Sequence, residues 1–353
     1  MKKATIYLFL ILNILAIAAL LFSYLSVFIP PDKFWVSSFF GLAFPFFVAA
    51  NILFIAIWSF FKPKFLFLSL VAVMVGWGFV NRYFQFSGKN TEDEGIKVIS
   101  YNVQNFHGKK EANQKASANK ILEFLDEKNA NIICLQDITL RKKHIFNIAG
   151  VVNRLKSINH YHYASNGATF GLATFTSYPI IKMGEIRYQN LPNMAIFTDV
   201  LIDGDTVRIF NVHLQSFHID PRKYDIIDSP GINERKDIEE IREIGGKLKK
   251  AFKIRAGQVR EIRKLIDETP YPVIICGDFN DTPVSYTYQL LRGGFKDSFV
   301  ESGKGFGRTY IGKLPSYRID NILYSEAFES YNFNLENVRL SDHLPVSCLL
   351  IKK

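Results

Sequence analysis

Pro272-Val273-Ile274-Ile275-Cys276-Gly277-Asp278-Phe279-Asn280 is the stretch on which the reading of this chain turns. Its apolar run reads as a strand buried on both faces, and Gly-Asp-Phe-Asn marks the exit. Further along, Ser341-Asp342-His343 opens a second such run, Leu344-Pro345-Val346-Ser347-Cys348-Leu349-Leu350-Ile351. Both sets place carboxylates, an amide and an imidazole where strand ends meet solvent. A carboxylate binds a hard divalent cation or takes a proton from water, an amide steadies an oxyanion, and an imidazole stabilises a pentacovalent phosphorus centre. These are the parts required for metal-assisted phosphoester hydrolysis. Alone, Asp278-Phe279-Asn280-Asp281 is equally a strand-to-loop turn, because Asp and Asn favour turns.

Working outward, 96–101 alternates and reaches Asn102, as a strand with an amide at its exit does. Helical spacing covers 116–129, and 131–136 is a buried strand ending at Asp137. Strands are predicted over 171–176 and 180–188, and a hairpin over 195–202 and 206–214 turns at Asp203-Gly204-Asp205. An irregular polar loop, 221–234, precedes a helical region over 236–267 with a candidate break at Gly245-Gly246. Strands follow at 273–277, 318–324 and 346–351. Many strands without regular βαβ alternation predict an α+β sandwich of two mostly antiparallel sheets flanked by helices.

The amino-terminal part differs. Residues 6–28, 36–61 and 65–81 carry no charge, and about 20 apolar residues cross a bilayer. The expected organisation is a membrane region over 1–86 with three helices (6–28, 36–61 and 65–84), a polar linker over 87–94, and a catalytic domain over 95–353. Lys2, Lys3, Lys62 and Lys64 flank one side of these spans, and Pro30-Pro31-Asp32-Lys33 carries no net charge. By the positive-inside rule the amino terminus is cytoplasmic. Three crossings of the cytoplasmic membrane then leave the domain extracytoplasmic, with Arg82 opposing. Cys134, Cys276 and Cys348 each lie within an apolar run, as small hydrophobes rather than a disulfide framework. Of the net charge of +10, the domain carries +7, which suits an anionic substrate or an acidic surface.

Ser100-Tyr101-Asn102-Val103, Ile133-Cys134-Leu135-Gln136-Asp137, Asn211-Val212-His213-Leu214, Gly277-Asp278-Phe279-Asn280, Arg318-Ile319-Asp320 and Ser341-Asp342-His343-Leu344-Pro345 together carry a resemblance. In that order they resemble the motifs of the endonuclease/exonuclease/phosphatase superfamily, which includes deoxyribonucleases, abasic-site endonucleases, sphingomyelinases and inositol-polyphosphate phosphatases. The resemblance covers about 95–353 and leaves the membrane region out. It implies that Asn102, Asp137 and Asp342 hold a divalent metal, Mg²⁺ or Mn²⁺, with Ca²⁺ as a further candidate. It implies that Asp278 orients or deprotonates the attacking water and Asn280 steadies it. His343 would contact the phosphoryl oxygen, Asp320 would fix its tautomer, and His213 would assist at the scissile phosphate. Asn211, Arg255 and Tyr310 are candidate substrate contacts.

One position departs from the pattern: the superfamily usually has Glu where this chain has Asp137. The carboxylate is shorter by one methylene, whereas Mg²⁺ demands near-ideal octahedral ligation. A bridging water, a backbone shift or a larger ion would compensate. Other readings stand beside these. His213 is also readable as a satisfied core histidine, Asp320 as an edge carboxylate paired with Arg318, and Asn102 as a simple strand end. His107, His144, His160, His162 and His218 read as surface residues. The expected function is a membrane-anchored, metal-dependent phosphodiester hydrolase, with nucleic acid favoured over lipid or inositol phosphate because the domain is basic. A catalytically decayed binding or sensing module is the alternative of another class.

Overall fold

The amino-terminal region is a helical bundle, apolar outside, with a polar cluster set within an apolar core. The computed structural model describes residues 3–107, 114–140, 147–167, 170–217, 235–312 and 317–353. It gives α1 (Lys3–Leu25), α2 (Val36–Leu42), α3 (Phe44–Phe61), a 3-10 turn at Pro63–Phe65, α4 (Leu66–Val75) and α5 (Trp77–Val80). Of these, α1 and α3 are long and apolar enough to cross a membrane, whereas the apolar helix over Pro63–Val75 is shorter. The uncharged run 36–61 is two helices rather than one, with Pro45 in the first turn of α3, where its missing N–H is harmless. The run 65–84 breaks at Gly76, where an added Cβ would stand 2.1 Å from the Tyr24 ring.

Trp58 meets Asn13 and Phe44 meets Tyr24, so α3 runs antiparallel to α1. Phe65 then packs on Trp58 and Phe79 on Phe44, which brings α4 and α5 back along α3. At the centre Asn13 donates to Ser69 (2.6 Å), Ser69 donates to Asn51 (2.9 Å), and the Trp58 indole donates to Asn13 (2.9 Å). Those polar groups need no water. Leu8, Leu15, Leu53, Phe60 and Val75 face outward.

β1 (Phe84–Gln85) leads into a sandwich built from β2 (Ile96–Asn102), β3 (Ile132–Gln136), β4 (His160–Asn166), β5 (Phe170–Thr176), β6 (Ile180–Arg187), β7 (Met194–Ile202), β8 (Asp205–His213), β9 (Val273–Asp278), β10 (Lys296–Asp297), β11 (Gly305–Phe306), β12 (Asp320–Tyr324), β13 (Phe328–Leu335) and β14 (Val346–Lys352). One sheet runs β13-β14-β2-β3-β5-β4 and the other β10-β12-β9-β8-β7-β6, while β1 pairs with β11 separately. Among the described strands only β2–β3 and β8–β9 are parallel; they are joined through α6 (Gln114–Lys128) and α8 (Arg235–Asp267) respectively. Shorter helices α7 (Ile148–Val152), α9 (Tyr286–Arg292) and α10 (Ser298–Ser302) complete the fold.

Strand alternation makes the layers. Val98, Ile132, Cys134 and Cys348 of the first sheet face Ile209, Ile274, Cys276 and Ile322 of the second. On the outer faces Ile99, Tyr101, Ile133 and Leu135 pack on Ile121 and Leu125 of α6, and Phe210, Val212 and Ile275 pack on Val259 and Ile262 of α8. All three cysteines are free and buried. The expected α+β sandwich is therefore what forms.

Several local expectations change. α8 runs through Gly245-Gly246 without a break. β5 and β6, adjacent in sequence, fall in different sheets. His162 is buried, and its Nδ1 lies 2.9 Å from the Thr198 hydroxyl, so it is no surface residue. The 87–94 linker is pinned to the sandwich, with Lys89 N–H donating to Ser302 O and Thr91 N–H donating to Asn332. The expected loop at 221–234, together with His144 and His218, lies outside the described residues.

Candidate active site

The two parallel strand pairs point their carboxyl ends at one rim, and the motif residues collect there. β2 ends at Asn102, β3 at Gln136 just before Asp137, β8 at His213 and β9 at Asp278. β12 starts at Asp320, directly across the ladder from Asp278. Gly277 sets the approach of β9 to β8: its φ is +144°, and an added Cβ would stand 2.0 Å from Val212 O. Phe279 is fully buried, an anchor that contributes about 1.5–3 kcal/mol. Asn280 (φ 51°) and Asp137 (φ 50°) both turn in the left-handed region, which Asn and Asp enter more readily than most residues.

Asp278 is the hub. Its Oδ2 accepts from Asn102 Nδ2 (2.9 Å) and Asn280 Nδ2 (3.1 Å), and its Oδ1 accepts from Asn280 N–H (2.8 Å). Two imidazoles converge on the same carboxylate, with Nε2 of His343 at 3.7 Å and Nε2 of His213 at 3.8 Å. Asp320 holds His343 from behind, its Oδ2 2.9 Å from Nδ1. Asp320 is placed in turn by Thr309, whose hydroxyl accepts from Ile319 N–H (3.0 Å) and Asp320 N–H (3.1 Å). Asp342 Oδ1 is 4.0 Å from His343 Nε2. Burial opposes a charge on His343, but Asp320 and Asp278 outweigh it and raise its pKa to about 10. Burial also pushes Asp278 up, against the pull of His343. The Asp137 carboxyl is pushed up to about 6, first by burial and then by the negative charge of Asp342, with Asp278 adding to it.

That crowding of carboxylates fits a cation. Ligand atoms of Asp278, Asp320 and His343 all lie within 4.8 Å of one another, and Asp137 and Asp342 raise the local negative charge beside them. Asn102 presents its amide N–H to Asp278, while its oxygen accepts from Gln104 N–H (3.0 Å).

Two candidate substrate contacts turn out otherwise. Asn211 is fully buried, its oxygen accepting from Gln136 (2.8 Å) and its N–H₂ donating to Ala173 O (3.0 Å). It ties the two sheets together beneath the site. Arg255, also fully buried, donates to Asp281 (3.1 Å) and to Gln215 O (2.8 Å), and so braces the rim from below. Tyr310 does reach the site: it bridges His343 through the backbone, and its ring stands edge-on to the imidazole at 5.3 Å. The pairing once open to Arg318 goes to Asp297 (2.5 Å), which leaves Asp320 to His343.

Sequence reasoning missed Asn105, Gln215 and Thr309 as supports. Asn105 N–H donates to Asp137 O (2.6 Å), and its side chain accepts from Thr139 N–H (3.0 Å). Its place just after the Asn102 motif was the available signal; in the fold it lies in a run of positive φ at Gln104, Asn105 and Phe106.

A two-sheet sandwich with acids, amides and paired histidines on one rim is the phosphoesterase class of fold. The family model for endonuclease/exonuclease/phosphatase proteins matches residues 99–343, and the chain belongs to that family. A second model, for a domain of unknown function (DUF8431), matches residues 6–83. No curated protein matches the chain significantly. Among solved structures, the chain is similar to an endonuclease/exonuclease/phosphatase family protein from Bacteroides thetaiotaomicron, at 16% identity and TM-score 0.52, covering 74% of this chain and 100% of that one. The human Nocturnin catalytic domain is similar at 17% identity and TM-score 0.52, covering 73% and 95%. TDP2 from Caenorhabditis elegans is similar at 17% and 0.51, covering 84% of each chain. At these identities the likeness is one of fold.

Proposed function

We propose that this protein is a membrane-anchored, divalent-metal-dependent phosphodiester hydrolase. The observation that carries it is the convergence of Asn102, Asn280, His213 and His343 on one carboxylate, Asp278, at the mouth of a phosphoesterase sandwich. Asp278 accepts the proton of an attacking water and aims it at phosphorus. Asn280 and Asn102 fix the carboxylate that does so. His343, kept cationic by Asp320, donates to a phosphoryl oxygen as charge gathers there, and His213 lies within reach of the leaving oxygen. Asn102, Asp137 and Asp342, beside the cluster of Asp278, Asp320 and His343, would hold Mg²⁺ or Mn²⁺. The bound ion would supply charge neutralisation at the phosphoryl oxygens.

The membrane reading rests on α1 and α3, on the return of the chain through α4 and α5, and on Lys62 and Lys64 at the turn between them. On it the amino terminus is cytoplasmic and the sandwich extracytoplasmic. Nucleic acid is the first substrate class to test, because the domain is basic, and a phospholipid or inositol phosphate comes next.

Purified full chain in detergent should hydrolyse a generic phosphodiester with Mg²⁺ or Mn²⁺ and stop on chelation. Plasmid DNA, RNA, sphingomyelin and inositol phosphates assayed side by side identify the substrate class. Absence of turnover with every divalent ion would favour the binding or sensing module. Metal titration then tests Asp137: the wild type should prefer Mn²⁺, Asp137→Glu should move toward Mg²⁺, and wild-type metal affinity in Asp137→Ala would remove residue 137 from the ligand set.

A further inference from the structure

The membrane bundle and the active site meet through more than the chain that joins them. Arg82, two residues past α5, is only 7% exposed. Its guanidinium donates to Pro283 O (2.8 Å) and to Gln289 Oε1 (3.0 Å), and it lies between the rings of Phe79 from the bundle (4.8 Å) and Tyr288 from the sandwich (5.2 Å). Both hydrogen-bond acceptors are neutral. Burying a guanidinium against carbonyls and rings costs far more than leaving it in water, where a simple tether would put it. Pro283 lies in the loop that leaves Asp278 and Asn280. Beyond Tyr288 the contacts continue inward. Its hydroxyl donates to Asp297, Asp297 grips Arg318 (2.5 and 3.0 Å), and the chain runs from Arg318 to Asp320, the partner of His343.

Two further contacts reach the same rim independently. Val284, next to Pro283, belongs to the core of the bundle, and its carbonyl accepts from Ser26 Oγ (3.2 Å). Gly41 is required there, since a Cβ would stand 2.3 Å from Val284 O. On the other side, Tyr83 O accepts from Gly307 N–H (3.1 Å), and β1 pairs with β11. The strand so held leads directly to Tyr310, which contacts His343.

We propose that the membrane module forms part of the active-site wall, with Arg82 as a positioning residue that fixes the Asp278–Val284 loop and, through Tyr288, Asp297 and Arg318, the Asp320–His343 pair. The inference rests on the hydrolase reading for its kinetic readout alone. The test uses the full chain in lipid nanodiscs as wild type, Arg82→Ala, Arg82→Lys and Gly41→Ala. A misplacement of about 1 Å costs up to about 100-fold, so Arg82→Ala should lower kcat by about 10-fold or more while KM changes by less than about two-fold. Arg82→Lys, which keeps a donor to Pro283 O, should recover part of that loss, and Gly41→Ala should reproduce it.

Hydrogen exchange gives a readout that needs no turnover. Amides of 279–285 and 305–310 should lose protection in Arg82→Ala, while those of β4 and β6 at the distant sheet edges keep theirs. Wild-type kcat together with unchanged exchange in folded Arg82→Ala overturns the proposal. Should that variant fail to fold, Arg82→Lys and Gly41→Ala decide by the same criteria. A wild type without turnover defeats the hydrolase reading instead, and the exchange pattern alone then decides this one.

Discussion

The bundle and the sandwich differ in what they expose and in where they keep their polar groups. In the sandwich, valine, isoleucine and cysteine fill the space between the sheets, and the charges that enter are closed into pairs such as Asp297–Arg318. In the bundle, Asn13, Asn51, Ser69 and Trp58 form a polar centre beside an apolar cluster of Leu20, Val27 and Phe44, while Leu8, Leu15, Leu53 and Phe60 face out. Water drives the first arrangement, since removing apolar area from it is the main gain of folding. Outside the bundle no such gain is being taken, which is the pattern the proposed membrane setting calls for, where helices associate by close packing and hydrogen bonds. The same residue type therefore does different work in the two halves: a buried Asn joins helices at Asn13 and Asn51, ties sheets at Asn211 and stands at the candidate site at Asn102.

The largest effect should come from the buried pair. Asp297→Ala strands Arg318 without its counter-ion and should destabilise the sandwich by about 3–5 kcal/mol, read as a lower thermal midpoint of the full chain in detergent. Its pH dependence has a definite sign. Burial raises the Asp297 carboxyl, but Arg318 outweighs that and holds it below the usual range. The stabilisation is complete above the unfolded carboxylate pKa of about 3.9 and disappears as pH falls through the lower folded value. The gap between wild type and Asp297→Ala should thus be constant near neutrality and narrow below about pH 4. A gap that widened in acid would contradict the assignment.

Next comes the site itself. His343→Ala should lower turnover by at least about 100-fold, within the range for acid–base groups, with circular dichroism unchanged. Near-normal turnover in folded protein would remove His343 from the chemistry.

The bundle should respond more weakly. Asn13→Leu leaves Trp58 Nε1 without its acceptor, while Ser69 loses one donor and keeps its bond to Asn51, and interhelical hydrogen bonds in membranes average about 0.6 kcal/mol. Detergent unfolding should show a loss of about 1 kcal/mol or less. A loss equal to that of Asp297→Ala would mean that the bundle is held like a water-soluble core, and the contrast would fail. Smallest of all, Lys352→Ala removes an exposed pair with Asp205, and the thermal midpoint should stay within error.

Much of this was legible because the site is made of strand ends. A buried run followed by Asp, Asn or His is a local pattern, so Asn102, Asp278 and His343 could be placed before any fold was known. Other elements left fainter traces. β13 carries a register shift between Tyr331 and Asn334 that interrupts its alternation. β4 is a polar edge strand in which His162 is buried between Tyr161 and Tyr163. Asn211 and Arg255 show the opposite failure: the right residue types beside the right motifs, facing away from the site. Arg82 could not have been read at all, because its partners at Pro283 and Gln289 lie far along the chain. As a flanking charge it counted against the expected topology, whereas in the fold its charge is taken up by protein.

The three thiols in the layer between the sheets have a consequence for biogenesis. Cys276 lies beside Cys134, with Cys348 in the same layer, and all three are free. Once the sheets have closed, no oxidant reaches them. If synthesis delivers this domain across the membrane, the unfolded chain meets an oxidising compartment with its thiols bare, and the odd number leaves one single whichever two join. Non-local β pairing closes in about milliseconds to seconds, while disulfide chemistry takes seconds to hours. Folding wins that race by a margin that any delay erodes. Chain denatured and returned to native conditions without reductant should accumulate cross-linked species, whereas chain that has never unfolded stays inert to the same oxidant.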